Sequence, residues 1–306
     1  RGLPAESSEQ EEIPLDKNNR GSFTGKLGFV LSAAGASVGL GNIWRFPYLA
    51  AKYGGGIFLL VYIVLALTFG YTMIIAETSL GRSTQQSPVG AFRRYSRSAA
   101  SSFGGWINAI IPILIVPYYS VIGGWVCKYL YGYFFEDLNV LAGDGYFDAF
   151  ITNGGSVELW FCVFAALNLL IIFLGVENGI ERVSRIMMPL LVVLAVIISV
   201  YSISRPGALE GVKYFLIPNP ANFSWMTVIT AMGQMFYSLS IAMGILVTFG
   251  SYMKKDVSIE SSTRQVEFFD TAIAILAGLM IIPAVFSFSG GDASALKAGP
   301  SLMFVT

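Results

Sequence analysis

Long apolar segments alternate with short polar connections along this chain of 306 residues. About 20 apolar residues in a helix cross the hydrocarbon core of a bilayer, so the pattern predicts a membrane protein with seven spanning helices. We place the spans at residues 25–50, 55–81, 103–134, 157–174, 180–204, 225–252 and 266–290. An acidic, polar stretch at 1–22 precedes them and is expected to form a cytoplasmic tail.

The first apolar segment is interrupted where a membrane helix should be continuous. Residues 35–47 read Gly-Ala-Ser-Val-Gly-Leu-Gly-Asn-Ile-Trp-Arg-Phe-Pro. Free backbone groups are tolerated at membrane depth only where they line a protein cavity, because hydrocarbon cannot bind them. Such a break offers carbonyls to a cation and amides to an anion. It therefore predicts a site for Na⁺ beside a carboxylate, which points to transport.

The sixth segment contains a second interruption of the same kind. Residues 233–244 read Gly-Gln-Met-Phe-Tyr-Ser-Leu-Ser-Ile-Ala-Met-Gly, with apolar helix on both sides. Corresponding breaks in two halves of a chain are typical of inverted-repeat transporters, whose substrate site lies between the repeats. A sodium-independent receptor or channel that used the broken helices as a binding or pore lining is the alternative.

Composition narrows the function classes further. Hydrophobic residues make up 55% and charged residues 12%, about half the charged share of a soluble domain. The net charge is zero, so no basic field suggests a nucleic acid as partner. The chain has no histidine, the usual general base. We therefore do not expect an enzyme.

Charge in the connections predicts the orientation. The connection after the second span contains arginines and no acid: Arg82, Arg93, Arg94 and Arg97. The next connection contains acids and no base: Glu136, Asp137, Asp144 and Asp148. Because positive connections stay in the cytoplasm, we expect a multi-pass protein of the plasma (inner) membrane with a cytoplasmic amino terminus.

An ordered set of motifs resembles the neurotransmitter:sodium symporter family. The motifs are Lys26-Leu-Gly-Phe29, Gly39-Leu-Gly-Asn-Ile-Trp-Arg-Phe-Pro47, Gly54-Gly-Gly56, Glu77 with Gly81-Arg82, and Gly233-Gln234 with Ser238-Leu-Ser240. The resemblance implies Na⁺-coupled uptake of an amino acid or amine by alternating access. It also implies an all-α fold of two inverted five-helix repeats with broken first and sixth helices.

On this resemblance, residues 23–204 form the first repeat, 205–224 an external loop, and 225–306 the start of the second repeat. That last part holds spans six and seven and part of an external loop, so the fold is truncated after the seventh span. Glu77 is expected to be a structural acid that hydrogen-bonds the loosened first helix.

The resemblance also implies a substrate site between the two breaks. The substrate carboxylate would meet the amides of Leu40 and Gly41 and the hydroxyl of Tyr119, as anions do at helix ends. The substrate amino group would meet the carbonyls of Ser37, Tyr237 and Ser238 and the hydroxyl of Ser240. The pocket for the substrate side chain would comprise Ala36, Ile115, Tyr119, Tyr237, Ser240 and Met243.

Two sodium sites are implied. The first Na⁺ would lie among Ser37, Asn42, Ser238 and Asp270 and touch the substrate carboxylate, so that ion and substrate each raise the other's affinity. The second Na⁺ would take the carbonyls of Gly35 and Val38. Its remaining ligands are expected in an eighth span, so this site is incomplete in the chain.

Two positions bear on the substrate and on chloride. Amine transporters of the family carry an aspartate where this chain has Gly39, so we expect an α-amino acid, hydrophobic or aromatic because the pocket is uncharged. Asp270 brings a carboxylate to membrane depth, where it needs a cation nearby. The family holds a chloride beside the first Na⁺ with residues that match Tyr62, Gln234 and Ser238. Because Asp270 could replace that anion, we expect chloride-independent transport.

Gating residues are implied as well. Arg45 resembles the arginine of the external gate and would close over the substrate with Tyr119 and Tyr237. Arg20 resembles the arginine of the internal gate. Gly179 and Pro189 enclose nine residues of the fifth span and are expected to unwind its inner end during release. The sequence leaves the oligomeric state open.

Overall fold

The computed structural model describes residues 21–96, 98–141, 143, 145–290 and 304. The described residues are helical almost throughout, and their β-structure is a single isolated bridge between Gly55 and Pro218. The helices are α1 Lys26–Ser37, α2 Gly41–Lys52, α3 Gly56–Thr84, α4 Pro88–Tyr95, α5 Ala99–Phe135, α6 Leu138–Leu141, α7 Tyr146–Thr152, α8 Gly154–Phe173, α9 Val176–Ile203, α10 Ala208–Leu216, α11 Trp225–Ser238, α12 Ile245–Ser251 and α13 Ile259–Ser289. The prediction of an all-helical chain is confirmed.

Five of the described helices are individually long and apolar enough to cross a membrane, namely α3, α5, α8, α9 and α13. The bent pair α1 and α2, whose axes differ by 53°, makes a sixth candidate span. The predicted sixth span consists of the shorter helices α11 and α12, which residues 239–244 separate. Both predicted interruptions are therefore present.

Helices α5 and α13 begin in polar residues, ahead of the spans predicted to start at 103 and 266. Helix α5 starts at Ala99, where the Ser98 side chain accepts a hydrogen bond from the amide of Ser101 (3.2 Å). Helix α13 starts at Ile259 behind a similar cap, in which Ser258 accepts from the amide of Ser261 (3.3 Å). These polar first turns extend the helices beyond the apolar pattern because the caps satisfy amides that the helix itself leaves free.

The main hydrophobic core surrounds α2, the carboxyl-terminal half of the broken first helix. Phe46 of α2 is fully buried and meets the rings of Phe58 and Tyr62 of α3 edge to face, at centroid distances of 5.8 and 5.0 Å. Phe215 of α10 adds a third edge contact at 6.3 Å. Such aromatic pairs favour a fixed geometry, so this core holds α2 firmly against α3 and α10.

Helices α3 and α12 cross with their backbones nearly touching. A Cβ atom added at Gly81 would lie 1.9 Å from the carbonyl oxygen of Val247. One added at Gly250 would lie 2.4 Å from the carbonyl oxygen of Thr78. Only glycine permits this approach, which places α12 directly beside α3 and brings Glu77 to the second break.

The segment just before α1 is hydrogen-bonded to the start of α9. The Glu181 carboxylate accepts hydrogen bonds from the Thr24 amide (2.8 Å) and from Nη2 of Arg185 (2.6 Å). Gly28 leaves room for this carboxylate, because a Cβ there would lie 2.2 Å from its carbon.

Residues Val176–Glu181 form a π-helical turn that contains Gly179, and α-helix continues from Arg182 past Pro189. The segment is thus helical in this structure, and its unwinding stays a prediction.

Candidate sodium and substrate site

The first break removes the regular hydrogen-bond pattern at Val38–Leu40. The amide of Val38 still donates to the carbonyl of Ala34 (2.7 Å), but Val38 itself is extended, at φ −77° and ψ 102°. The next amide, of Gly39, donates to the side-chain oxygen of Asn42 (3.4 Å). The last carbonyls of α1 therefore lose their helical donors and become available to a ligand.

The second break, residues 239–244, contains three left-handed residues. They are Ser240 at φ 55°, Ala242 at φ 61° and Gly244 at φ 68°. Left-handed backbone costs a residue with a side chain about 1 kcal/mol or more and is concentrated at functional sites. This costly backbone conformation is therefore a specific feature of the chain, of the kind that is found at functional sites.

The two breaks contact each other and the neighbouring helix α3. The hydroxyl of Ser240 donates to the carbonyl of Ala36 in the first break (3.3 Å). The amide of Ala242 donates to Oε1 of Glu77 (2.7 Å). Glu77 is thus a structural acid, but we were wrong about its partner: it supports the second break, because α3 lies directly against α12.

Four buried polar side chains meet beside the breaks, and Asp270 is at their centre. Its carboxylate accepts hydrogen bonds from Nδ2 of Asn42 (2.9 Å), from the hydroxyl of Tyr62 (3.0 Å) and from the hydroxyl of Ser238 (3.0 Å to each oxygen). Ser238 also contacts Oδ1 of Asn42 at 3.2 Å. All four side chains are at most 1% exposed.

The charge in this cluster has no basic counterpart among the described residues, because every hydrogen-bond partner of Asp270 is neutral. A buried carboxylate without a cation is costly. The cluster brings together oxygens of Asn42, Ser238 and Asp270, the kind of ligand that a hard cation prefers. Three of the four residues predicted to bind the first Na⁺ therefore lie together in this cluster, and their role as ligands stays a prediction.

The predicted fourth ligand is placed differently. The hydroxyl of Ser37 donates to the carbonyl of Ala33 in its own helix (3.1 Å). A serine that bonds back four residues is common within helices. The hydroxyl of Ser37 therefore points along α1, and only its backbone carbonyl, at the break, remains a candidate ligand.

The three residues predicted to form the external gate lie next to one another. The guanidinium carbon of Arg45 lies 4.8 Å from the centre of the Tyr237 ring, within the range of a cation–π contact. The hydroxyls of Tyr237 and Tyr119 are 2.9 Å apart. Helix α5 thus reaches the two broken helices through Tyr119, although these residues are far apart in the sequence.

Gly41 and Gly39 differ in the space around them. A Cβ at Gly41 would lie 2.8 Å from the ring of Tyr237, whereas one at Gly39 would make ordinary contacts of 3.7 and 3.8 Å with Tyr119. The carbonyl of Gly41 accepts a hydrogen bond from Nε2 of Gln234 (2.9 Å). Packing therefore requires glycine at 41 but not at 39.

The other predicted residues fall into three groups. Ala36, Ile115 and Met243 are half-buried, and Leu40 lies at the end of the first break. Gly35 and Val38 line a largely apolar cleft of about 600 Å³ between α1, α8, α9 and α13. Arg20 lies outside the described residues.

Sequence reasoning missed Glu267, a buried acid on α13. It is 4% exposed, and its Oε1 atom has no hydrogen-bond partner among the described residues. It lies one helical turn before Asp270. An acid within an apolar span by itself indicates a candidate functional residue. We placed the start of this span just before it and overlooked it.

These features define a class of protein. A helical membrane protein with two interrupted spans, a buried oxygen cluster between them and an aromatic gate above has the architecture of a secondary transporter. The site residues come from α1, α2, α3, α5, α11 and α13, so helices that are distant in the sequence come together to form it.

Comparison with known proteins identifies the family. The model of the sodium:neurotransmitter symporter family matches residues 20–144 and 140–306, and the chain belongs to this family. It is 35% identical over 285 residues to YhdH, an uncharacterized sodium-dependent transporter of Bacillus subtilis strain 168; the match covers 92% of this chain and 62% of that protein. It is 26% identical to the human sodium- and chloride-dependent GABA transporter 2, covering 99% and 57% of the two chains.

A solved structure supports the same assignment. The fold matches the crystal structure of MhsT in complex with L-phenylalanine with a TM-score of 0.84 and 37% identity, over 94% of this chain and 65% of that one. The transporter fold that the sequence predicted is thereby confirmed, and the chain is not an enzyme. It spans less than two thirds of each of these proteins.

Proposed function

We propose that the full-length protein is a sodium-coupled symporter that takes up a hydrophobic or aromatic α-amino acid by alternating access. The observation that carries this proposal is the Asp270 cluster, a buried carboxylate surrounded by neutral hydrogen-bond donors beside the two broken helices. Family membership supports Na⁺ as the coupling ion.

Coupling follows from the shared position of ion and substrate. Na⁺ bound by Asn42, Ser238 and Asp270 would lie beside the amides of Leu40 and Gly41, where a substrate carboxylate would bind. Each then supplies a charge that stabilises the other, and the coupling is reciprocal. The second Na⁺, at Gly35 and Val38, depends on ligands outside this chain.

The substrate class is inferred from Gly39 and the pocket. With no acid at position 39, an amine without a carboxylate would leave the amides of the break without an anionic partner. The predicted pocket residues are small, apolar, aromatic or hydroxylated, so a charged substrate side chain would be buried without a partner. The phenylalanine in the MhsT complex supports an aromatic or hydrophobic substrate by analogy.

Chloride independence is inferred from the partners of Asp270. Tyr62 and Ser238, which resemble the chloride ligands of the family, both donate to the Asp270 carboxylate. A fixed negative charge thus occupies their donors, and a mobile anion would be repelled by it.

Two gates would alternate around this site. Arg45, Tyr119 and Tyr237 would close the outer side over the substrate. On the inner side we propose that Arg20 contributes and that the segment between Gly179 and Pro189 unwinds during release. The proposed orientation places the amino terminus in the cytoplasm, as the arginines of the second connection indicate.

Uptake by the full-length protein tests the proposal. Labelled leucine, tyrosine and tryptophan would be offered to proteoliposomes with and without an inward Na⁺ gradient, in chloride and in gluconate. We expect accumulation that needs the gradient and not chloride. Counterflow of labelled substrate would distinguish a carrier from a receptor or channel, and flux indifferent to Na⁺ would refute the symporter.

A further inference from the structure

Helix α4 is a short amphipathic helix that packs against the start of α5. Its residues Pro88 and Ala91 are buried. A Cβ at Gly105 of α5 would lie 3.0 Å from the Cα of Val89, so the two backbones are close. The hydroxyl of Ser101 also donates to the carbonyl of Phe92 (2.7 Å). These contacts hold α4 in a fixed orientation against α5.

Arg93 and Arg94 lie near the carboxyl-terminal end of α4, and both are exposed. Within the described part of the chain, neither makes a hydrogen bond or an ion pair. Nearby Arg82, in contrast, donates to the carbonyl of Val257 (2.6 Å). The two arginines line a cavity of about 500 Å³ together with Gln86, Gly90 and Ser102. Two free guanidinium groups thus share one cavity with a hydroxyl and an amide.

Exposed aromatic side chains show where this cavity lies relative to a bilayer. Phe103 and Trp106, in the first two turns of α5, are 68% and 51% exposed, and Tyr95 at the end of α4 is 67% exposed. Exposed aromatic residues near the end of a spanning helix mark the level of the lipid headgroups. The two arginines therefore lie at the depth of lipid phosphates.

We propose that this cavity is a binding site for the headgroup of an anionic phospholipid. Arg93 and Arg94 would bind the phosphate, since guanidinium groups match its geometry, and Ser102 and Gln86 would offer further donors. The amino-terminal end of the 37-residue helix α5 adds a favourable dipole. The acyl chains would lie along Phe103 and Trp106.

A lipid fits these observations better than a free anion does. A free phosphate needs only the polar lining, whereas a lipid also uses the adjoining aromatic surface. The proposed orientation assigns the site to the inner leaflet. The inference does not depend on the transported substrate or on the coupling ion.

Lipid retention by the full-length protein tests the inference. The protein would be exchanged into nanodiscs of phosphatidylcholine with graded phosphatidylglycerol, and bound phosphatidylglycerol would be counted by native mass spectrometry. An arginine near an anionic surface contributes about fivefold in affinity, so Arg93→Gln with Arg94→Gln should weaken binding about 30-fold. Arg93→Lys with Arg94→Lys keeps the charge and should retain most of the binding.

The matched control is Arg182→Gln with Lys255→Gln, which removes two exposed positive charges from the same end of the molecule. It should leave retention unchanged. If both glutamine variants lost bound lipid equally, general surface charge would explain retention and the proposed site would be wrong. Full lipid retention by the Arg93/Arg94 glutamine variant would also refute the site. Inorganic phosphate that displaced the lipid at millimolar concentration would show a free-anion site and overturn the lipid assignment.

Discussion

Replacing Asp270 with asparagine should turn a chloride-independent binding reaction into a chloride-stimulated one. The substitution keeps the size of the side chain and one accepting oxygen, but it removes the fixed negative charge. Tyr62 and Ser238 donate to the carboxylate at 3.0 Å and would be freed in part by the change. A chloride ion could then use these donors and restore the missing charge.

The size of the effect follows from the distances in the cluster. Na⁺ bound by Asn42, Ser238 and Asp270 would touch the carboxylate, and even at a separation of about 4 Å and an effective dielectric constant of about 20 two unit charges interact with about 4 kcal/mol. Relaxation and water entry reduce it. We therefore expect the Na⁺ concentration for half-maximal substrate binding to rise by about two orders of magnitude in gluconate, and chloride to recover part of the loss.

Equilibrium binding of labelled amino acid to the full-length protein, titrated with Na⁺ in chloride and in gluconate, measures this effect. Glu267→Gln is the control, because it removes another buried acid from α13 without freeing Tyr62 or Ser238. It should not create a chloride response. An Asp270→Asn protein with unchanged Na⁺ affinity and no response to chloride would refute the proposed role of Asp270.

Two further predictions concern the substrate site. Gly41→Ala should abolish amino-acid binding, because its Cβ would lie 2.8 Å from the Tyr237 ring. Gly39→Ala, whose Cβ would lie 3.7 Å from its nearest neighbour, should bind within a few-fold of the native protein. Equal binding by both variants would contradict the packing argument. Tyr119→Phe should weaken binding about tenfold by removing one hydroxyl partner from Tyr237 and from the substrate. Tyr118→Phe, whose hydroxyl makes no hydrogen bond to the described residues, should have no effect, and both are measured by the same binding assay.

Much of the architecture was predictable because membrane helices obey a strict rule. A span must satisfy its own backbone, so glycines and polar residues at membrane depth had to mark breaks. This rule placed the breaks within residues 35–47 and 233–244, and the structure narrows them to 38–40 and 239–244. The association of Tyr119 with Tyr237 was not, because periodicity says nothing about which faces of distant helices meet. That pairing came from the family resemblance alone.

Contacts that depend on backbone approach could not be predicted. The sequence shows Glu77 and both glycines, Gly81 and Gly250, but not that α3 and α12 cross at van der Waals distance. This crossing decides that Glu77 supports the second break and not the first. The attachment of Glu181 to Thr24 depends in the same way on the space left by Gly28.

The contacts between the two breaks suggest why the chain has both. A single interrupted helix would leave carbonyls and amides without partners in a water-poor interior. Here the carbonyls of Ala36 and Gly41, on either side of the first break, accept hydrogen bonds from Ser240 and Gln234, and the second break donates an amide to Glu77. Each break is thus stabilised by side chains from another helix, so a movement of one broken helix changes the hydrogen bonding of the other. Ligands that bind between them will therefore act on both at once, which is the linkage that coupled transport requires.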